Sequence, residues 1–358
     1  MDGPATWAYR DRFADAFART YFRRFCDGVV SSVGVGTYLG DATDEADDAY
    51  RAAIVEALES GVNVVDTAVN YRHGRSERAV GEALAGADVD PAAVLVATKG
   101  GFVAFDGERP ADPAAYVADR YGDLGDLHLV RGNCIDPPFL ARQLDRSRER
   151  LGVDPGLYYL HNPETQLDAR SREEVYDAIE DAFAFLERRV AAGEIGAYGV
   201  ATWECFRVPR DHPRYLSLAE VARRARAASD RAGTEATGFR AVQLPFSVRM
   251  ADAFTVEAHE GPDGPRSALA FAHDAGLAVF ASAPLLQGDL AEPGAIPDAV
   301  AARLSGDTPA QRAINFARSA PGVTAALVGT GSPEHVAENV AAGTFPPLGA
   351  AAFDATFE

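Results

Sequence analysis

The sequence has 358 residues and a formal net charge of −19 at pH 7, because 53 Asp and Glu residues oppose 34 Lys and Arg residues. With 47% hydrophobic and 24% charged residues the chain can bury a core, which argues against wholesale disorder. Three dispersed cysteines exclude a disulfide scaffold or a thiolate zinc site, and the excess of acid argues against nucleic-acid binding. No apolar run is long enough to cross a bilayer and no signal peptide is recognisable, so we expect a protein of the reducing cytoplasm.

Lysine occurs once, at Lys99, and every other residue in the basic count is arginine. Abundant acid with scarce lysine is typical of salt-adapted, halophilic proteins, whose carboxylates keep the surface hydrated. A GC-rich codon bias produces the same composition. In either case Lys99 is a candidate functional residue, because arginine does not replace a compact ammonium group with a tunable pKa.

The N-terminal part is predicted to form a helical extension over residues 1–25, in which 7–25 is rich in arginine and aromatic residues. The Asp27-Gly28 pair between two apolar runs then predicts a β-hairpin. Short β-branched runs predict eight further strands, at residues 32–36, 62–66, 94–99, 157–161, 196–201, 241–244, 277–282 and 325–329.

Helical patterns separate these strands. Thr43 is a predicted N-cap of a helix that ends at Gly61, residues 171–192 form the longest predicted helix, and Thr308 precedes a proline at a helix start. Strands alternating with helices predict a parallel α/β fold, and at this length a (β/α)8 TIM barrel is favoured over an open doubly wound sheet.

The barrel is predicted to be a single domain over residues 26–348, followed by a tail at 349–358. A long loop, residues 100–136, interrupts the pattern after the third strand, and a loop of this size is usually functional or partly helical.

A glycine-rich segment at residues 34–40, reading GVGTYLG, almost matches the dinucleotide-binding fingerprint of open α/β sheets. Its last glycine is one position late, and Asp66 follows after about 30 residues rather than about 20. A glycine-rich strand end explains the segment better.

The informative residues are those at the carboxyl ends of the predicted strands, which share one face of a barrel. Asp66 ends the second strand and is followed by Tyr71, Lys99 ends the third, and His161 ends the fourth. Taken singly, each has an ordinary structural explanation. Together at one barrel mouth, with the single lysine among them, they predict a catalytic site.

These four side chains suit proton donation to a carbonyl oxygen. A free tyrosine has a pKa near 10, too high for an efficient acid at neutral pH, and a nearby ammonium group lowers it. Asp66 can hold Lys99 charged and in place, while His161 can orient the carbonyl or relay a proton. Tyr71 could then protonate the alkoxide formed when hydride reaches the carbonyl carbon. This chemistry requires no metal, and no Cys/His cluster provides a metal site.

The arrangement of Asp66, Tyr71, Lys99 and His161 resembles the catalytic tetrad of the aldo-keto reductases, a family of NAD(P)H-dependent barrel enzymes. The resemblance extends from about residue 29 to about residue 342. Further segments that resemble family motifs, in the same order, are residues 34–37, Ser76-Glu77 with Gly81, residues 193–203 (similar to GKIRAIGVSNW), Gln243, residues 283–288 (similar to SPLxxG) and residues 329–339.

The resemblance implies roles in cofactor binding. Gln243 and the Ala201-Thr202 pair would contact the nicotinamide carboxamide, and residues 285–288 would wrap the pyrophosphate. The implied cofactor-binding residues are Gly36, Thr37, Tyr38, Ala201, Thr202, Gln243, Ser282, Leu285, Gln287, Gly288, Gly329, Gly331, Ser332, His335, Glu338 and Asn339. Of these, Ser332, Glu338 and Asn339 would hold the adenosine end.

Four departures from the family pattern affect the cofactor. The family's Ser-Asn pair is Ala201-Thr202, the segment after Tyr71 (residues 72–76) is changed, and Ser282 stands where the family has an aromatic residue. Phe280 lies two residues before Ser282.

The fourth departure is Gly331, which aligns with the basic residue that meets the 2′-phosphate in the family. Arg318 or His335 are candidate replacements. Family resemblance favours NADP(H) over NAD(H), and Gly331 leaves the choice open.

The predicted function is NAD(P)H-dependent reduction of a small aldehyde or ketone to an alcohol, or the reverse oxidation. One alternative is a Schiff-base aldolase in which Lys99 attacks a carbonyl. Another is a catalytically weak barrel that binds a nicotinamide nucleotide and acts as a redox-responsive partner of another protein.

Overall fold

The architecture is described for residues 1–357 in a computed structural model; Glu358, the last residue of the predicted tail, lies outside the described residues. The strands are β1 (Phe22–Phe25), β2 (Gly28–Ser31), β3 (Val33–Gly36), β4 (Val64–Asp66), β5 (Leu95–Gly100), β6 (Leu157–His161), β7 (Tyr198–Ala201), β8 (Phe239–Pro245), β9 (His259–Gly261), β10 (Gly264–Arg266), β11 (Ala278–Ser282) and β12 (Val323–Gly329).

Eight of these strands, all parallel, close a barrel in the order β11-β12-β3-β4-β5-β6-β7-β8. Each of the eight predicted strands lies on one barrel strand, and the prediction for β6 matches both of its ends. The strands are continuous apolar runs because the barrel interior covers one face and the helices cover the other. The predicted (β/α)8 barrel is confirmed.

The helices are α1 (Gly3–Arg12), α2 (Asp44–Glu59), α3 (Arg75–Gly86), α4 (Pro113–Tyr121), α5 (Pro137–Leu151), α6 (Arg172–Ala191), α7 (Leu218–Ala232), α8 (Asp252–Thr255), α9 (Ala268–Asp274), α10 (Asp298–Ala301), α11 (Pro309–Ser319), α12 (Pro333–Ala341) and α13 (Ala350–Asp354). Thr43 caps α2 as predicted, and Ser171 and Thr308 each form a capping box at the starts of α6 and α11. None of the helices in residues 1–357 has both the length and the apolar character needed to span a membrane.

The N-terminal extension differs from its prediction. Helix α1 ends at Arg12, and residues 22–25 form β1 rather than the end of a long helix. The chain turns because its aromatic side chains pack against each other, with the Phe17 ring stacked on Tyr21 at 3.8 Å.

The predicted hairpin is present, since β1 pairs with β2 in antiparallel register. Phe25 and Val30 of this hairpin join the cluster of side chains that fills the barrel. The hairpin therefore closes the end of the barrel opposite the candidate site.

The long segment at residues 100–136 is partly helical, as expected, because it contains α4. It packs on the start of α5 through Tyr121, Cys134 and Phe139. The predicted tail also packs on the barrel: Phe353 in α13 is fully buried, with its ring 5.0 Å from that of Phe316.

Candidate active site

The four predicted catalytic residues meet at the carboxyl-terminal mouth of the barrel. Asp66 is the last residue of β4, Lys99 lies in β5, and His161 ends β6. Tyr71 begins the short 3-10 turn Tyr71–Gly74 that follows β4. Because parallel strands bring their carboxyl ends to one face, these four positions converge although they are far apart in the sequence.

Lys99 is the centre of this cluster. Its Nζ donates to Asp66 Oδ1 at 2.6 Å and to the carbonyl oxygen of Thr67 at 2.8 Å. The same ammonium group lies 4.6 Å from the centroid of the Tyr71 ring. The Lys99 side chain is fully buried, so its charge acts on Asp66 and Tyr71 without screening by water.

His161 contacts the ring of Tyr71. The two rings meet edge to face, with centroids 5.9 Å apart, and His161 makes a similar contact with Phe102 at 5.0 Å. His161 Nδ1 is enclosed and has no hydrogen-bond partner among the described residues. Burial, followed by the charge of Lys99, holds the pKa of His161 well below its usual value, so the ring is neutral.

The electrostatics around Tyr71 combine opposing effects. Burial raises the pKa of the Tyr71 hydroxyl, Lys99 opposes this rise, and the resulting pKa lies above its usual value. Burial lowers the pKa of Lys99, but the contacts with Asp66 and Tyr71 outweigh it and raise that pKa. Lys99 therefore stays charged, and a charged ammonium group at this distance favours the tyrosinate over the neutral phenol.

The backbone after Tyr71 is strained. Arg72, His73 and Gly74 have φ values of 46°, 59° and 82°, and non-glycine residues rarely adopt this left-handed region. At Gly74 a Cβ atom would overlap the guanidinium group of Arg150. Glycine at this position thus permits both the turn and the close approach of Arg150.

Arg150 ties the Tyr71 segment to its surroundings. Its guanidinium group donates to the carbonyl oxygen of Val69 at 3.3 Å and to that of Phe105 at 3.5 Å. It also contacts Glu77 Oε2 at 3.4 Å. The loop that carries Tyr71 is thereby joined to α3 and to the long 100–136 segment.

Two polar side chains assigned to the carboxamide are already hydrogen-bonded within the protein. Gln243 donates its amide to Asp66 Oδ2 at 2.7 Å. Thr202 donates its hydroxyl to the buried carboxylate of Glu164 at 2.7 Å and accepts from the backbone N–H of Cys205 at 2.9 Å. Gln243 thus also supports the Lys99–Asp66 ion pair, a contact that the sequence pattern did not indicate.

A single cavity of about 880 Å³ opens over the tetrad. Every residue implied as cofactor-binding lines it, and so do Asp66, Tyr71 and His161. Lys99 lies beneath the lining because it is fully buried. The strand-end residues and the C-terminal glycine-rich segment therefore face the same space.

Sequence reasoning missed other lining residues. Four of them face the cavity: Tyr50 from α2, Asn70 directly before Tyr71, and Phe102 and Asn162 after strand ends. Phe102 and Asn162 follow strands whose last residues were identified. Their position within two residues of those strand ends could have indicated that they face the cavity. Tyr50 gave no such signal, because an aromatic residue on a helix usually packs in the core.

The residues after β11 form a tight loop in which Leu286, Gln287 and Gly288 have positive φ values of 48°, 59° and 105°. The N–H of Leu286 donates to the carbonyl oxygen of Ala283 at 3.1 Å, and the N–H of Gly288 donates to that of Leu285 at 3.0 Å. Gln287 and Gly288 line the cavity, where the resemblance implies that this loop wraps the pyrophosphate.

Arg318, one of the two candidate replacements for the basic residue, is wrong. Arg318 is buried and donates to the carbonyl oxygens of Ala342 and Phe345 at 2.7 and 2.9 Å, so it fixes the C-terminal segment and does not reach the cavity. Phe280 lies on the same inward face of β11 as Ser282 but deeper in the barrel, where its ring meets that of Phe25 at 5.6 Å. His335 does line the cavity.

Comparison with known proteins agrees with this geometry. Residues 32–211, half of the chain, match the model of the Aldo/keto reductase family. The chain belongs to this family.

A curated relative is the NADH-specific methylglyoxal reductase of Escherichia coli (strain K12), which is 29% identical over 202 residues. The match spans 54% of this chain and 54% of that protein, about half the length of each.

Solved structures share the barrel. The holo form of an aldo-keto reductase from Bacillus halodurans superposes with a TM-score of 0.62 at 20% identity, covering 94% of this chain and 95% of that one. An aldo/keto reductase from Klebsiella pneumoniae in complex with NADP and acetate gives 0.59 at 20% identity, with 94% of each chain covered. At these identities the likeness establishes the fold.

The described residues contain no group of three or more His, Cys, Asp or Glu side chains placed to hold a metal ion.

Proposed function

We propose that this protein reduces small aldehydes or ketones to alcohols, or catalyses the reverse oxidation, with a nicotinamide dinucleotide. The observation that carries the proposal is the buried Lys99–Asp66 ion pair directly beside Tyr71, at the floor of the cavity. A buried ammonium group next to a tyrosine suits a proton donor, because it stabilises the tyrosinate that donation leaves behind.

Two features of the cavity support a dinucleotide. Its volume of about 880 Å³ lies within the range of cofactor sites. Ser332, at the start of α12, has an enclosed hydroxyl without a partner among the described residues, which is free to bind a ligand.

In the proposed reaction each side chain has a defined task. The cavity residues would hold a reduced nicotinamide, which when bound would supply the hydride for the carbonyl carbon. The Tyr71 hydroxyl gives its proton to the carbonyl oxygen, which completes the alcohol, and solvent later reprotonates the tyrosinate. Lys99 stabilises that tyrosinate, Asp66 holds Lys99, and neutral His161 orients the carbonyl.

The mouth of the cavity favours a small, neutral substrate. Tyr38 and Trp203 are 59% and 45% exposed at its rim, and Phe102 faces the cavity beside His161. Exposed aromatic side chains at a cavity mouth are available to cover an apolar substrate. The name of the curated relative, a methylglyoxal reductase, also points to a small carbonyl compound.

The Schiff-base alternative requires Lys99 as a neutral amine that reaches a substrate. Lys99 is instead fully buried, and its pKa is raised by Asp66 and Tyr71. Its position therefore favours an electrostatic role. The partner-protein alternative predicts tight nucleotide binding without turnover.

The proposal is tested with a panel of small aldehydes and ketones, following oxidation of NADH and NADPH by absorbance. Tyr71→Phe is the matched variant, since it removes only the hydroxyl. We expect wild-type turnover, loss of turnover in Tyr71→Phe, and the same dinucleotide affinity in both. Equal turnover in the variant would contradict the mechanism. Binding without turnover in the wild type would favour the partner-protein alternative.

A further inference from the structure

Glu164 is a buried carboxylate beside the site that the proposed reaction does not use. It lies in the short turn Pro163–Asp168 after β6, three residues beyond His161, and is 4% exposed. Burial raises the pKa of Glu164, and hydrogen bonds from Thr202 and from backbone N–H groups oppose this rise. A buried carboxylate is costly unless its oxygens are hydrogen-bonded, so the groups that it binds indicate what it does.

One carboxylate oxygen of Glu164 gathers three donors from the turn that follows β7. Oε1 accepts from the hydroxyl of Thr202 at 2.7 Å, from the N–H of Trp203 at 3.0 Å and from the N–H of Glu204 at 3.1 Å. Side-chain oxygens that accept from successive N–H groups cap the start of a helix in the same way. Glu164 therefore caps this turn from the end of the neighbouring strand, β6.

The hydroxyl of Thr202 completes the cap and is left without hydrogen-bonding capacity. A threonine hydroxyl donates one hydrogen bond and accepts two. That of Thr202 donates to Glu164 and accepts from the N–H groups of Glu204 at 3.1 Å and Cys205 at 2.9 Å. The hydroxyl is thus saturated within the protein. This differs from the contact with a carboxamide that family resemblance implies for Thr202.

Trp203 is the side chain that this cap holds in place. Its N–H donates to Glu164, and its carbonyl oxygen accepts from Arg207 Nε at 2.7 Å. Arg207 is itself paired with Asp252 of α8 at 2.9 Å. The Trp203 ring lines the cavity mouth and is 45% exposed. An exposed ring has few packing contacts to fix it, so its place depends on the backbone that carries it.

We infer that Glu164 is a positioning residue, which together with Thr202 fixes the ring of Trp203 at the cavity mouth and so lowers the KM for the carbonyl substrate. Glu164 does not line the cavity and acts through Trp203. The effect on KM rests on the proposed function, because it assumes a carbonyl substrate. The positioning of the ring does not depend on that assumption.

The fluorescence of Trp203 tests the positioning without any substrate. The sequence has two tryptophans, so Trp7→Phe leaves Trp203 as the single reporter. Trp7 lies in α1, against Arg10 and Arg24. In this background we expect Glu164→Ala to lower the fluorescence anisotropy of Trp203 and to increase its quenching by acrylamide, because the turn loses its cap.

Two further variants serve as controls. Glu164→Gln keeps an oxygen that can accept from the turn, so it should recover most of the anisotropy. Glu174→Ala removes a different capping carboxylate, which accepts from the N–H of Ser171 at 2.8 Å at the start of α6 and does not line the cavity. We expect it to leave the fluorescence of Trp203 and the KM unchanged.

Steady-state kinetics at saturating dinucleotide tests the effect on the substrate. We expect Glu164→Ala to raise the KM for the carbonyl compound about tenfold and to lower kcat less than about threefold, because a contact made equally before and in the transition state affects binding alone. Glu164→Gln should restore most of the KM. In a Trp203→Ala background, Glu164→Ala should change the KM little, since the ring through which it acts is absent.

Thr202→Val replaces the hydroxyl by a methyl group and tests the other half of the cap. We expect a raised KM, a lower anisotropy of Trp203 and a nearly constant dinucleotide affinity. A marked loss of dinucleotide affinity would show that Thr202 binds the carboxamide, and would overturn its assignment to the cap. This variant also decides the question if Glu164→Ala does not fold.

Unchanged anisotropy of Trp203 or an unchanged KM in folded Glu164→Ala would overturn the inference. So would a loss of kcat and thermal stability without a change of KM, because Glu164 would then only support the fold. If the wild type reduces no carbonyl compound, the proposed function fails. The anisotropy measurements then decide by themselves whether Glu164 positions Trp203.

Discussion

Lys99 Nζ lies 2.6 Å from Asp66 Oδ1 in an ion pair whose lysine is fully buried. The carbonyl oxygen of Thr67 and the face of Tyr71 enclose the rest of the ammonium group. A planar guanidinium group presents its donors in a wider fork and does not fit this compact pocket. The geometry thus explains why a chain with one lysine has it here.

Removing this lysine should affect stability as well as activity. Lys99→Met leaves the carboxylate of Asp66 buried without its cation, which is expected to cost about 3–5 kcal/mol of unfolding free energy. Adding Asp66→Asn removes the stranded charge, keeps an acceptor for Gln243, and should recover most of that loss without restoring turnover. Denaturant unfolding and turnover assays of the three proteins provide the measurement. Recovery of activity in the double variant would show that Lys99 has only a structural role.

The pH dependence of reduction reports the state of Tyr71. Reduction requires the protonated hydroxyl, so kcat/KM should fall as pH rises through the pKa of Tyr71. Lys99 lowers that pKa against the effect of burial, so the loss of activity should move to higher pH when Lys99 is replaced by Met. The profile is measured from pH 6 to 11 for both proteins. An unchanged position of the fall would mean that Tyr71 is not the titrating acid.

Arg150 is expected to position the catalytic tyrosine through the backbone at Val69. Arg150→Met should lower kcat about tenfold or more, because small displacements of a proton donor are costly, while the dinucleotide affinity stays nearly constant. Arg150→Lys should restore part of the rate. Arg148→Met is the control, since Arg148 lies on the same helix and pairs with Asp154 at 2.6 Å. Equal losses in Arg150→Met and Arg148→Met would indicate a general effect on α5.

The burial of His259 predicts that the folded protein loses stability in mild acid. The imidazole is fully buried; it accepts from the N–H of Leu218 and lies 2.8 Å from the carbonyl oxygen of Phe206, and burial lowers its pKa to about 4. In the unfolded chain the imidazole takes up a proton near pH 6.5. Between pH 6.5 and pH 4 the unfolded state therefore holds more protons than the folded state, and the free energy of unfolding decreases as the pH is lowered. The full effect amounts to about 3 kcal/mol.

The measurement is the unfolding free energy of wild type and His259→Gln from pH 7 to pH 4. The difference between the two proteins should shrink as pH falls, because the variant has no buried imidazole to protonate. A constant difference would mean that the pKa of His259 is the same in the folded and the unfolded protein, contrary to its burial.

Much of the barrel could be predicted because its information is local. Parallel strands covered on both faces are continuous apolar runs, which makes them recognisable in the sequence. The residues at their carboxyl ends form the mouth of the barrel, so the sequence alone places Asp66, Lys99 and His161 together. Tyr71 could be added to this group because it lies five residues after Asp66 in the sequence. Salt adaptation, inferred from composition, stays a prediction.

The features that were not predicted depend on contacts between distant segments. Arg318 was a candidate for the cavity, but its burial depends on the C-terminal segment that folds over it. The contact between Gln243 and Asp66 joins β8 to β4 across the barrel. The left-handed backbone conformation of Arg72 and His73 could not be predicted from the local sequence, because the only glycine of that turn, Gly74, lies at its end.

Transfer of deuterium from the dinucleotide to the carbonyl carbon tests the central claim most directly. The purified protein is incubated with NADH deuterated at both C4 positions and with a reactive small aldehyde, and the product is analysed by mass spectrometry. We expect an alcohol with one deuterium on the former carbonyl carbon, formed by wild type and not by Tyr71→Phe. Tight dinucleotide binding with no deuterated alcohol from any carbonyl compound tested would contradict the assignment of this site to carbonyl reduction.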